Sequence, residues 1–191
     1  METFTSLLLR VLPVSAGLML ALIFAGRIID FLMDLLLGVM RSLIGSTLTG
    51  FFANAVTFIG VVHHELAHAV FAVLTGAKVT KIKFFTLTGG DALGYVTFIP
   101  RGNMFLQAVQ LTMSSVAPVY AGAFTVCMMY RVIPFSGLSV WQKVLYLYIM
   151  ISIVMHMRLS GADIRNALRG LPICILLLTA VLCAVYAVFG F

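Results

Sequence analysis

Charge is the scarcest thing in this sequence. Of its 191 residues only 9% are Asp, Glu, Lys or Arg, and just six are acidic. Soluble domains carry about 25% charged residues, so a soluble globular fold is excluded. Cysteine is sparse too. Cys127, Cys174 and Cys183 lie apart in apolar runs, with no C-x-x-C pair to suggest a disulfide framework or a cysteine metal site. They read as buried free thiols. No basic run and no aromatic platform offers itself to nucleic acid, which is not expected as a partner. The net charge of +6 therefore reads as Lys and Arg that snorkel and set topology. No small-residue cleavage site follows the first apolar run, so residues 1–26 are expected to stay as an anchor. No internal repeat is visible, nor a linker long enough to divide the chain.

What fills the space is apolar. Hydrophobic residues make up 62% of the chain and the mean hydropathy is +1.15. Apolar regions fall at 6–26, 51–75, 103–131, 139–169 and 171–190. Between the first two, "RIIDFLMDLLLGVMRSLIGS" is ambiguous, because Asp30 and Asp34 sit one helical turn apart inside Arg27 and Arg41. The expected fold is an all-α polytopic integral membrane protein of about five to six spans or half-spans, in the cytoplasmic membrane if the source is prokaryotic. It forms one membrane-embedded domain over 1–191. Within it, 1–50 is an anchor region, 51–169 a core and 171–191 a C-terminal span.

One segment breaks the helical habit. "KVTKIKFFTLTGGDALGYVTFIP", 78–100, alternates at its start, is rich in Thr, Val, Ile, Phe and Tyr, and is interrupted by Gly89-Gly90-Asp91. That pattern predicts two short strands around a turn. Such a hairpin belongs at the membrane interface or under protein cover, since unpaired backbone is costly in lipid. If 51–75, 103–131 and 139–169 each cross once, Lys78, Lys81, Lys83, Arg101, Arg158, Arg165 and Arg169 share one side. The positive-inside rule makes that side cytoplasmic.

The polar exception inside the apolar runs is "VVHHELAHAVFAV", 61–73. Its His64-Glu65-Leu66-Ala67-His68 is the H-E-x-x-H pattern of zinc peptidases. Residues four apart on a helix share a face, so two imidazoles can meet one ion. Glu65 lies beside them to take a proton from water at the open position of a three-ligand zinc site. Polar residues in a membrane helix are costly and usually have a task, whereas a lone His in such a helix is more often packed. His63 points about 100° away from His64 and reads as an outer neighbour or a packing residue.

A third ligand is required, and Asp91, His156, Asp163, Asp30 and Asp34 are the candidates. With 51–75 and 139–169 running the same way, His68 and Asp163 each lie seven residues before a helix end. That puts both at a depth of about 10 Å. Asp163 is therefore preferred, with a surface pairing to Arg165 or Arg169 as its ordinary explanation. His156 is the reserve.

A short polytopic chain with "HELAH" in an apolar helix, a strand-rich insert after it and a later aspartate resembles the site-2 protease family of intramembrane metalloproteases. The resemblance covers residues 51–169. It implies His64, His68 and Asp163 as zinc ligands and Glu65 as the catalytic base, and "SSVAPVYAGA", 114–123, echoes the family's middle core helix. The chain has Asp163-Ile164 where the family commonly shows Asp-Gly, and it has no PDZ-like domain. The implied activity is hydrolysis of a peptide bond in or near a transmembrane segment. The implied partners are a membrane-protein substrate, the lipid bilayer and a regulatory membrane protein. The alternative is a non-proteolytic metal-binding scaffold or transporter.

Overall fold

A computed structural model describes residues 4–84 and 94–189. The first helix, α1, spans Phe4–Phe51 and carries Asp30 and Asp34 without interruption. Arg27 Nη1 donates to Asp30 at 2.7 Å, one turn along the same face. The apolar run 6–26 and the ambiguous stretch after it are thus one element. The break comes later, at Gly45 (φ 81°), in a region that glycine enters without a side-chain penalty. A π turn at Phe52–Val56 leads into α2, Phe58–Leu74.

α2 ends in a Schellman motif. Gly76 takes φ 91°, Ala77 N donates to Ala72 O, and Gly76 N donates to Val73 O. Two strands follow, β1 at Lys78–Lys83 and β2 at Tyr95–Ile99. They pair antiparallel, with Lys78 opposite Ile99 and Lys83 opposite Tyr95. This matches the hairpin expected over 78–100. Its turn, Gly89-Gly90, and Asp91 lie outside the described residues.

α3, Met104–Val132, starts at Asn103, whose side chain accepts from Leu106 N at 3.0 Å. Fully buried Gln110 accepts from Arg101 N and donates to the carbonyls of Thr75 and Arg101. It pins the helix to both ends of the hairpin. α4 spans Val140–Met155, behind a Ser139–Gln142 capping box. α5 spans Gly161–Phe189.

Here the sequence reading needs correction. The run 139–169 is two elements, because the chain leaves the helix at His156 and re-enters at Gly161. The run 171–190 belongs to α5, which passes through Gly170 and Pro172 unbroken. Gly170 marks a helix crossing: a Cβ there would overlap the Ala108 carbonyl of α3. Among the described residues three helical segments are long and apolar enough to cross a membrane: Thr5–Val56, Met104–Val132 and Gly161–Phe189. That is fewer than the five to six expected. α2 and α4, with 17 and 16 residues, fall short of the roughly 20 that a full crossing needs.

Polar side chains share the interior with apolar ones, and many large apolar side chains are exposed. Ser15, Thr49, Gln110, Thr112, Ser114 and Ser152 are buried, whereas Phe24, Phe124 and Leu177 point outward. Small and polar interior residues let helix backbones approach and bond to one another in an apolar surround. α2 and α4 touch in this way. A Cβ on Gly60 would overlap the Ser152 carbonyl, Gly60 N donates to Ser152 Oγ at 2.8 Å, and that hydroxyl donates to Thr57 O. An apolar cluster of Ile23, Val116, Val119, Ile153, Met157 and Leu159 joins α1, α3, α4 and the 156–160 segment.

Candidate metal centre

His64 and His68 stand one turn apart on α2, and each ring is held from behind. His68 Nδ1 donates to the Ser114 carbonyl at 2.7 Å, and His64 Nδ1 donates to the His156 carbonyl at 2.6 Å. A carbonyl can only accept, so each Nδ1 carries the proton and each Nε2 presents a lone pair. Both carbonyls are free for local reasons. Pro118, four residues after Ser114, has no N–H to bond back to it. His156 lies where α4 stops, and terminal carbonyls have no intrahelical partner.

The two Nε2 atoms lie 3.0 Å apart. Two lone pairs facing each other at that distance repel unless a proton or a metal ion sits between them. Asp163 completes the set. It lies in the first turn of α5, where Ser160 N donates to its Oδ2 at 2.9 Å and Ser160 Oγ donates to the same oxygen at 2.5 Å. The Ser160 hydroxyl also accepts from Asp163 N, which makes a reciprocal capping box. The other carboxylate oxygen, Oδ1, faces His68 Nε2 at 3.6 Å.

The ligand atoms of His64, His68 and Asp163 all lie within 4.8 Å of one another. A tetrahedral ion with bonds of about 2.0–2.1 Å separates its ligands by roughly 3.3 Å. The three groups are placed where they could share one metal ion.

The expected depth match has a different origin from the one reasoned. α4 does run in step with α2, as shown by Tyr148 to Val56, Ser152 to Gly60 and His156 to His64. It stops level with His64, however, and Asp163 comes from the next helix. The loop 156–160, not a continuous span, brings the carboxylate to His68.

Glu65 is buried on the same helix. Two cavities of about 360 Å³ meet at Glu65 and His64. One is lined by Asp30, Arg158, His156 and Ser160. The other is lined by His68, Asp163, Tyr95, Val96, Ser115 and Asn166. β2 forms a wall of the second cavity and approaches closely: a Cβ on Gly94 would lie 2.7 Å from Glu65 Cγ.

The remaining candidates are accounted for elsewhere. His63 bonds to Thr125 Oγ1 on α3 at 3.0 Å, a packing contact. The His156 ring donates through Nδ1 to Ser152 O, so its backbone rather than its imidazole serves the centre. Asp30 and Asp34 are bound by Arg158. Asp163 makes its contacts with Ser160 and His68, not with Arg165 or Arg169, among the described residues. Asp91 lies outside the described residues.

Sequence reasoning missed Ser160, although Ser160-Gly161-Ala162-Asp163 carries the S-x-x-D capping signature. It also missed Asn166, which lies one turn beyond Asp163 and on the same cavity. No family model, curated protein or solved structure matches the chain.

Proposed function

We propose that the protein is a multi-pass integral membrane zinc metalloprotease, which hydrolyses a peptide bond in or near a transmembrane segment of another membrane protein. One observation carries this reading: Glu65 lines the same cavity as His64, His68 and Asp163, beside a strand. Two imidazoles and one carboxylate are a catalytic zinc set, which leaves a coordination position open. When bound, zinc supplies positive charge that polarises the scissile carbonyl and acidifies water.

The chain's own groups do the rest. Glu65 takes a proton from the attacking water and returns it to the leaving amine. β2 pairs only with β1 among the described residues, so its other edge can take up an unwound substrate segment as an added strand. Gly94 keeps that edge close to Glu65. The resemblance to the site-2 protease family supports the same assignment of His64, Glu65, His68 and Asp163. A purely structural metal site usually fills all four positions with protein ligands and needs no neighbouring base, so the scaffold reading is the weaker one.

The test is co-expression with candidate membrane-protein substrates. Glu65→Gln is nearly isosteric but cannot accept a proton, so substrate should accumulate uncut while the variant keeps its metal. Normal cleavage by Glu65→Gln would remove the base and the protease reading with it.

A further inference from the structure

Five residues between α4 and α5 hold two of the three ligands. The His156 carbonyl fixes the ring of His64, and Ser160 fixes the carboxylate of Asp163. Midway between them Arg158 reaches back to α1. Its Nε donates to Asp30 Oδ1 at 2.8 Å and its Nη2 to Asp34 Oδ1 at 2.9 Å. Arg27 holds the second oxygen of Asp30. Leu159, 1% exposed, fits against Gly26, where a Cβ would come within 2.5 Å of its Cγ. The segment is therefore bolted to α1 by an arginine fork and an apolar pin, and the two residues that hold ligands, His156 and Ser160, lie on either side of the bolt.

We propose that Arg158 is a positioning residue for the metal centre: by clamping 156–160 to Asp30 and Asp34 of α1, it sets the orientation of His64 and Asp163. This rests on the metal-centre reading above. The chemistry suits the task. A planar guanidinium that engages two carboxylates through separate nitrogens fixes direction as well as distance, and groups that orient metal ligands typically control affinity 10- to 100-fold. The clamp also gives a role to Asp30 and Asp34, the acidic residues of α1. It makes the geometry of the centre depend on where α1 sits.

The experiment is zinc affinity of the full chain in detergent, by chelator competition, with the absorption spectrum of the cobalt-substituted protein as a readout of ligand geometry. Arg158→Gln should lose about 10- to 100-fold in zinc affinity and shift the cobalt spectrum. Arg158→Lys, which keeps the charge, should recover part of that loss. Arg41→Gln, on an exposed stretch of α1, should change neither readout. Should Arg158→Gln fail to fold, Asp30→Asn carries the same expectation from the other side of the clamp. Wild-type affinity and spectrum in folded Arg158→Gln or Asp30→Asn overturn this inference alone. Absence of zinc binding by the wild-type chain overturns the metal centre itself, and the inference with it.

Discussion

The placement of His64 and His68 on one face, with Glu65 beside them, was legible because the spacing is local: four residues on a helix fix a shared face whatever the rest of the chain does. Asp163 was reached by an argument about depth whose premise, one continuous helix over 139–169, does not hold. What brings it to His68 is the Ser160 capping box, a signal four residues long that was in the sequence and went unused. The second role of His156 could not be read, because a backbone carbonyl leaves no mark in residue identity. These assignments separate cleanly by substitution. Asp163→Ala should weaken zinc binding by more than the 10- to 100-fold expected of an outer partner. His156→Ala should keep the zinc, because the carbonyl remains, and Asp91→Ala should keep it too. Metal analysis checks all three. Loss of zinc from His156→Ala but not from Asp163→Ala would require three histidine ligands instead.

Helix α3 shows how an element can serve a site it contributes no metal ligand to. Pro118 removes one N–H and so leaves the Ser114 carbonyl for His68. Within the sequence, "SSVAPVYAGA" was noticed for its small residues and proline, but its consequence depends on which helix lies opposite. In Pro118→Ala a new N–H competes for that carbonyl. Zinc affinity should fall about tenfold, while thermal stability holds or rises, because an interior proline costs a helix about 3 kcal/mol. Unchanged affinity would show that the His68 tautomer is not set by this carbonyl. The element boundaries that were misread, at 26 and at 169–171, share a cause. Charged residues and glycine were taken as helix ends. Asp30 instead finds Arg27 and Arg158, and Gly170 instead accommodates α3.

Among the described residues, many large apolar side chains face outward, and His64, His68 and Asp163 gather at one point among the helices. Three long apolar helical segments among the described residues suit a bilayer. Glu65 and His68 are buried, and titratable groups inside an apolar helix bundle usually mark a functional site. The central claim is that this point is a zinc-dependent peptidase for membrane-embedded chains. The most direct measurement uses the purified full chain in proteoliposomes with a transmembrane reporter peptide, with products mapped by mass spectrometry. The expected result is a single cut in or beside the apolar segment, which is lost when zinc is chelated and restored when zinc is returned. A reporter that stays intact with one zinc bound per chain, or a cut that persists after complete zinc removal, would contradict it.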